Sequence, residues 1–271
     1  MFLLSFSLTR KVQTMFNLKS FFAFVSLFSL LFTACNNKDE IVSPVQQKQL
    51  SKIVQDANNY SVFNYTDGKL SKYENYSNSQ LSTAITLNYD GTTKPKSENY
   101  ISFNQDYIKY YYYDINSLLD SMTFSTKDNS GSYILSGYVK YFYDGNKQLT
   151  KTEQFTTSNS FVVRFEYSYD SNGNVIEEKQ YRSSGLYSDA TMTYDNKVNP
   201  WYNLSDCLFY PVSMSKNNLL SKNQVFSDST QENYQNTITY VYDSDGYPIS
   251  SITQLSSQSN NLTINNTFEY K

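Results

Sequence analysis

Hydrophobic and polar residues alternate with a period of two over long stretches of the chain, and short polar turns separate these stretches. Between Phe161 and Tyr169 every second residue is apolar, while Arg164 and Glu166 occupy intervening positions. Because successive side chains of a strand point to opposite faces, this alternation predicts a β-strand with one apolar face. A polar turn at 170–174 follows, and a more polar strand is predicted at 175–181. Together they form one predicted hairpin.

The hairpin pattern recurs, and a Tyr-Asp pair marks the end of each aromatic strand. The pairs are Tyr89-Asp90, Tyr113-Asp114, Tyr143-Asp144, Tyr169-Asp170, Tyr194-Asp195 and Tyr242-Asp243. A looser first copy begins at Tyr65. Successive tyrosines are 24 to 30 residues apart until a last interval of 48, which predicts that one copy is degenerate or replaced. A period near 25 residues corresponds to two strands and two turns.

The aspartates of these pairs are predicted to be structural turn residues. An Asp side chain accepts hydrogen bonds from N–H groups of its own turn, and glycine tolerates a positive φ. The predicted turn residues are Asp90, Asp114, Asp144, Asp170, Asp195, Asp243, Gly173 and Gly246. Carboxylates for hydrolysis or oxygens for calcium are the alternative. Recurrence at every hairpin favours turns, so we predict no catalytic residue, no metal site and no cofactor.

Sequential hairpins of this kind predict an all-β fold with about thirteen to fifteen antiparallel strands in a meander. So large a sheet twists strongly, and we expect a half-barrel-like curved sheet. A closed barrel and a two-sheet sandwich are the alternatives. An outer-membrane barrel is disfavoured, because polar strands such as 149–153 lack a lipid-facing apolar band.

The segment 45–57 has a helical rather than a strand period. Leu50, Ile53, Val54 and Ala57 recur at the spacing of one helix face. We therefore expect a short N-terminal amphipathic helix that packs over one end of the domain.

Pro200 interrupts the repeats, because proline cannot donate to a strand ladder. The apolar segment from Pro200 to residue 218 predicts either a plug over the sheet or a ligand-binding loop that displays Trp201 and Tyr202. Tyr111 and Tyr113 belong to a run of four tyrosines. Rows of tyrosine stabilise sheets, but exposed rings also stack on sugars or extended peptides, so these four residues are the candidate binding residues.

The first 34 residues are typical of a signal peptide, with cations at Arg10, Lys11 and Lys19 before a short apolar core. Residues 31–35, Leu-Phe-Thr-Ala-Cys, resemble the bacterial lipobox. That resemblance implies cleavage before Cys35 and its acylation. The domains are then a signal peptide at 1–34, the lipidated cysteine with a flexible tether at 35–47, and a β domain at 48–271.

Composition narrows the classes of function. The chain has 271 residues, 17% aromatics, two cysteines and no histidine. The absence of histidine excludes Ser-His-Asp and Cys-His catalysis, so Cys207 is predicted to be a small buried side chain. The net charge is −3 and no basic stripe is present, which disfavours nucleic acid as a partner.

The repeats resemble the YD-repeat (RHS-type) family, whose units read Tyr-x-Tyr-Asp-x-x-Gly-x-Leu/Ile. The segment from Tyr167 through Tyr169-Asp170 to Gly173 and Val175 matches best. The chain is also similar to YD-repeat lipoproteins that carry a Tyr-Asp-x-Lys-x-Asn-Pro segment, here residues 194–200. The likeness spans residues 60–271 and implies a fold more than an activity.

Together these features predict a non-catalytic lipoprotein of the outer membrane, exposed at the cell surface or on the periplasmic face. We expect it to bind a glycan or a protein partner through an aromatic-rich curved sheet. The first alternative is a structural or assembly lipoprotein without a small ligand. The second is a hydrolase based on Asp and Glu, for which the sequence offers no close carboxylate pair.

Overall fold

The computed structural model describes residues 48–102, 105–204 and 211–271. The predicted signal peptide, Cys35 with most of the tether, and Cys207 lie outside the described residues. The described chain is almost entirely antiparallel β-structure. The only helical elements within it are a 3-10 turn, Tyr202–Leu204, and the short helix α1, Pro211–Met214.

Sixteen strands follow one another in chain order. They are β1 Leu50–Val54, β2 Tyr60–Thr66, β3 Lys69–Ser77, β4 Gln80–Asn88, β5 Ser97–Ser102, β6 Gln105–Tyr113, β7 Leu119–Lys127, β8 Tyr133–Tyr143, β9 Leu149–Thr156, β10 Phe161–Tyr169, β11 Val175–Arg182, β12 Gly185–Tyr194, β13 Leu219–Phe226, β14 Tyr234–Tyr242, β15 Pro248–Ser257 and β16 Asn261–Tyr270.

Each strand pairs with its neighbours in sequence, and β1 also pairs with β16, so the meander closes into a barrel. Leu50 lies opposite Tyr270 and Ile53 opposite Phe268. Beyond the last pair, the backbones of Gln49 and Lys271 exchange two hydrogen bonds of 3.1 and 3.0 Å. The predicted all-β antiparallel meander is confirmed, but the half-barrel-like open sheet is wrong. Closure leaves no unpaired sheet edge.

The predicted N-terminal helix is also wrong, because residues 50–54 form β1. A β-bulge between Leu50 and Lys52 explains the misleading period. The extra residue, Ser51, lets Leu50 and Ile53 share the inner face although they are three positions apart. Pairing of β1 with both β2 and β16 outweighs the weak helical preference of so short a segment.

A tyrosine hydroxyl links each hairpin to the preceding one. Seven tyrosines donate to a backbone carbonyl oxygen 15 to 24 residues earlier, at 2.7 to 3.0 Å; the donor and acceptor pairs are Tyr65 to Leu50, Tyr89 to Leu70, Tyr113 to Pro95, Tyr143 to Leu119, Tyr169 to Leu149, Tyr194 to Val175 and Tyr270 to Pro248. Tyr242 donates instead to the Asp195 carboxylate. Eight such tyrosines in sixteen strands give one link for each hairpin.

The aspartates that follow these tyrosines hold the turns. In the turn after β10, Asp170 Oδ1 accepts the N–H groups of Asn172 and Asn174 at 2.9 and 2.8 Å. The same arrangement occurs at Asp114, Asp144 and Asp243. Gly173 and Gly246 have positive φ of 84° and 83°, which suits glycine. Asp90 departs from the pattern, because its carboxylate pairs with Lys96 at 2.5 Å.

The turn after β12 has the same design with a long insertion. Asp195 Oδ1 accepts the N–H of Lys197 and then that of Asn218, 23 residues on, where Asp170 uses the residue four positions on. The inserted stretch is therefore 19 residues long. Without it, the interval of 48 shortens to 29, an ordinary repeat. The expectation of a degenerate or replaced copy is wrong.

Candidate functional site: the barrel interior

The insertion after β12, residues 198–217, closes the end of the barrel at which the Asp-led turns lie. Trp201 and Leu204 pack into the core cluster built mainly from β1–β6, and Trp201 meets Phe63 edge-on at 5.5 Å between ring centroids. Val212 and Met214 pack into the second cluster, built from β6–β14. The insertion therefore bridges both halves of the core, and we call it the plug.

Asn199 holds the plug together. Its side chain is buried, its Nδ2 donates to the carbonyl oxygens of Val212 and Ser215 at 2.7 and 2.8 Å, and its Oδ1 accepts the N–H of Trp201 at 3.0 Å. The Ser215 hydroxyl in turn accepts the N–H of Val175 at 3.0 Å. These bonds fix the plug to itself and to the start of β11.

The four candidate binding residues do not form one cluster. Trp201 and Tyr202 are half-buried in the plug. Tyr111 is buried on the inner wall, where its hydroxyl donates to Glu98 Oε2 at 2.7 Å. Tyr113 is half-buried at the plugged end and carries one of the interhairpin hydrogen bonds. None of the four presents an open aromatic face on the outer surface.

Burial of the inward-facing side chains falls from the plugged end to the opposite end. At the plugged end Leu119 and Val175 are fully buried. At the opposite end Thr156 and Phe226 are half-buried, and Thr126 is exposed, although all three face inward. A barrel of sixteen strands is wide enough to leave an internal space. The interior is thus a cup, closed by the plug and open at the far end.

The wall formed by β14–β16 is the part of the cup most accessible to solvent. Its inward-facing side chains remain half-buried along nearly the whole length of the strands; they are Tyr234, Asn236, Ile238, Tyr240, Thr253, Leu255, Leu262, Ile264, Asn266 and Phe268. Aromatic faces, amides and aliphatic side chains therefore alternate along one accessible wall, a combination typical of ligand-binding cavities.

Two ion pairs lie among the inward-facing residues. Lys109 Nζ is 2.9 Å from Glu98 Oε1, and Lys222 Nζ is 3.4 Å from Glu178 Oε1. Burial lowers the pKa of Lys222, but the nearby Glu178 carboxylate outweighs it and leaves that pKa raised. Burial raises the pKa of the Tyr111 phenol, and Glu98 raises it further. Each inward-facing charge of the described barrel therefore has an opposite partner.

The outer surface is polar and charged at mid-strand. Lys151 and Glu153 form an ion pair on β9, and Arg164 and Glu166 form another on β10, both at 3.0 Å. The register places Lys151 opposite Glu166 and Glu153 opposite Arg164, so charges of opposite sign also face each other across strands. A lysine or arginine at the centre of a lipid-facing strand costs about 2–4 kcal/mol.

Metal and membrane-helix features were examined within the same described ranges. No group of three or more Asp, Glu, His or Cys side chains there could hold a metal ion. No helix within those ranges is long and apolar enough to cross a membrane.

No protein-family model matches the chain, and no curated protein matches it. Among solved structures, the chain is similar to a porin-like protein from Bacteroides uniformis ATCC 8492, with 14% identity, a TM-score of 0.51 and coverage of 82% of this chain and 98% of the other. A porin-like protein from Bacteroides vulgatus ATCC 8482 gives 13% identity, a TM-score of 0.51, and coverage of 82% and 99%. These similarities establish a shared barrel fold.

The resemblance to YD-repeat (RHS-type) lipoproteins is therefore wrong as an identification. No family model supports it, and the structures that share the fold are porin-like barrels. The Tyr-Asp pairs are instead the turns and links of a closed barrel. A match to TcdB2-TccC3 has a TM-score of 0.30 and covers 12% of that chain, and no argument rests on it.

Sequence reasoning missed the accessible wall of β14–β16. A signal was present in β16, where Leu262, Ile264 and Phe268 alternate with polar residues. That alternation identifies an inner face, but it does not show that the face borders an accessible cavity. The width of the closed barrel and the plug decide that, and both depend on pairing between distant parts of the chain.

Proposed function

We propose that this protein is a non-catalytic, lipid-anchored outer-membrane protein that binds a ligand inside its barrel, the ligand being a glycan or a segment of a partner protein. The observation that carries the proposal is the half-buried inner wall of β14–β16, accessible from one end while the plug closes the other. A closed cup with a mixed aromatic and amide lining suits binding.

The outer-membrane location draws support from the two solved structures described as porin-like. The charged outer surface favours a barrel that stands in water, held by acyl chains on Cys35 rather than by lipid contact with its strands. The non-catalytic assignment is supported by the inner carboxylates Glu98 and Glu178, each of which is held by a lysine.

The position of the first described residues supports an orientation. Lys48 forms an ion pair with Asp243 at 2.7 Å, so the chain enters the barrel at the plugged end. The preceding tether, residues 36–47, reaches at most about 40 Å when extended. The plugged end then faces the membrane, and the cup opens away from it.

Photo-crosslinking in intact cells tests the proposal even while the ligand is unidentified. Benzoylphenylalanine replaces Ile264, which faces the cup, or its outward-facing neighbour Thr263 as the matched control. The proposal predicts a light-dependent adduct from position 264 and none from position 263. A protein adduct from position 263 alone would instead favour the structural or assembly function, and the absence of any adduct would count against binding.

A further inference from the structure

We propose that the inner wall formed by β11, β13 and β14 recognises a neutral, hydroxyl-rich ligand, namely an uncharged oligosaccharide. This inference rests on the proposed function and names its ligand class. The residues that carry it are Glu178 and Gln180 on β11, Lys222 and Gln224 on β13, and Tyr234 and Asn236 on β14.

The register brings these residues together on one face. Lys222 lies opposite Asn236, and Gln224 lies opposite Tyr234. The intervening strand β12 presents only the small Ala190 between Glu178 and Gln224. Because Ala190 is small, the Lys222 side chain reaches across β12 to Glu178. The result is a continuous polar strip within an otherwise aromatic and aliphatic interior.

Asn236 has an unused acceptor in this strip. Its Oδ1 is buried and accepts no hydrogen bond from any described residue. A buried carbonyl without a donor destabilises a fold, which makes such an atom a candidate for ligand contact. Hydroxyl groups of a sugar are suitable donors. Nearby, the contact of Lys222 with Glu178 is long, at 3.4 Å, and uses one of three ammonium donors.

The electrostatics favour a neutral ligand. The four inward-facing charges among the described residues form two pairs, so the interior has no net charge to hold an acid or an amine. Burying a further unpaired charge beside them would be strongly unfavourable. The phenol rings of Tyr234 and Tyr240 lie on the same face as Asn236, and such rings offer an apolar surface to the C–H face of a sugar.

The test is an array of neutral and acidic oligosaccharides, probed with the full lipidated chain in detergent. Asn236→Leu removes the acceptor at nearly constant size. Asn265→Leu, on the outer face of β16, is the matched control. We expect neutral glycans to bind the unaltered protein, at least a tenfold loss of affinity in Asn236→Leu, and no loss in Asn265→Leu. Asn236→Asp keeps an acceptor oxygen, and it should retain affinity within a few-fold.

The remaining outcomes each overturn the inference. Neutral binding that survives Asn236→Leu refutes the site but leaves the proposed function in place. Binding of acidic glycans only, or of none, refutes the ligand class, and the crosslink from position 264 then decides separately whether the cup binds anything. If circular dichroism shows that Asn236→Leu is unfolded, Asn236→Ala takes its place with the same expected loss.

Discussion

The hydroxyl of Tyr169 donates a 2.8 Å hydrogen bond to the backbone carbonyl oxygen of Leu149, which begins the return strand of the preceding hairpin. This bond joins two hairpins at a level where the core is tightly packed. Equivalent bonds around the barrel make the Tyr-Asp pair a unit with two functions: the aspartate closes its own turn, and the tyrosine fastens that turn to the hairpin before it.

Removal of one such hydroxyl should weaken the barrel measurably. Tyr169→Phe keeps the ring and loses the bond, so the free energy of unfolding should fall by about 1–2 kcal/mol in urea denaturation. Tyr112→Phe is the control, because Tyr112 faces outward and half of its surface is exposed; its effect should stay within about 0.5 kcal/mol. Equal losses in both variants would refute the structural role of the bond.

Asn199→Ala should loosen the plug before the barrel. The substitution removes three hydrogen bonds at a buried site and should cost about 2–3 kcal/mol. Trp201, the only tryptophan of the chain, reports on the plug by fluorescence, while circular dichroism reports on the strands. We expect the fluorescence transition to move to lower urea than the circular dichroism transition. With the exposed Asn196→Ala as control, coincident and unshifted transitions would argue against the latch.

The inner ion pair of Glu178 and Lys222 should resist single substitution more poorly than double substitution. Lys222→Met leaves a buried carboxylate without a partner and should cost about 3–5 kcal/mol. Replacing Glu178 with Met as well removes that penalty, so the double variant should regain most of the stability. A double-mutant cycle measures the coupling, and simple additivity of the two losses would show that the charges do not interact.

The protein should lose stability in alkali before its buried tyrosines ionise. Burial raises the pKa of Tyr73 to about 12, and burial also raises the pKa of Tyr169 and Tyr240. An unfolded phenol ionises near pH 10, so this contribution to stability is intact below about pH 10 and is lost between about pH 10 and 12. Absorbance at 295 nm should show two groups of tyrosines, the second ionising only on unfolding. One reversible titration of all tyrosines near pH 10 would contradict the packing.

Local patterns carried the prediction of the strands and turns, but not the closure of the sheet. Alternation over 161–169 predicted β10 correctly, and Asp170 predicted its turn. Closure depends on β1 and on Tyr270, which repeats the tyrosine link without a following aspartate. The bulge at Ser51 disguised β1 as a helix. The 19 inserted residues of the plug made one repeat look like two.

The candidate site was less predictable than the fold. Trp201 attracted attention as an isolated tryptophan, yet its ring packs against Phe63 in the plug. Asn236 has no local signal, because Asn and Thr occur on both faces of β14. Its significance comes from Lys222 and Leu255, which flank it across two strand pairings. Such neighbours become visible only when the register is known.

The most direct test of the account is where the barrel goes when it has no lipid. Residues 1–35 are replaced by a cleavable signal peptide that directs export without acylation, and the cells are then fractionated. Because the outer surface carries charge pairs at mid-strand, we predict that the exported barrel is recovered, folded, in the soluble periplasmic fraction. A folded barrel that stays in the outer membrane through high-salt and carbonate washes, and that is released only by detergent, would contradict the account.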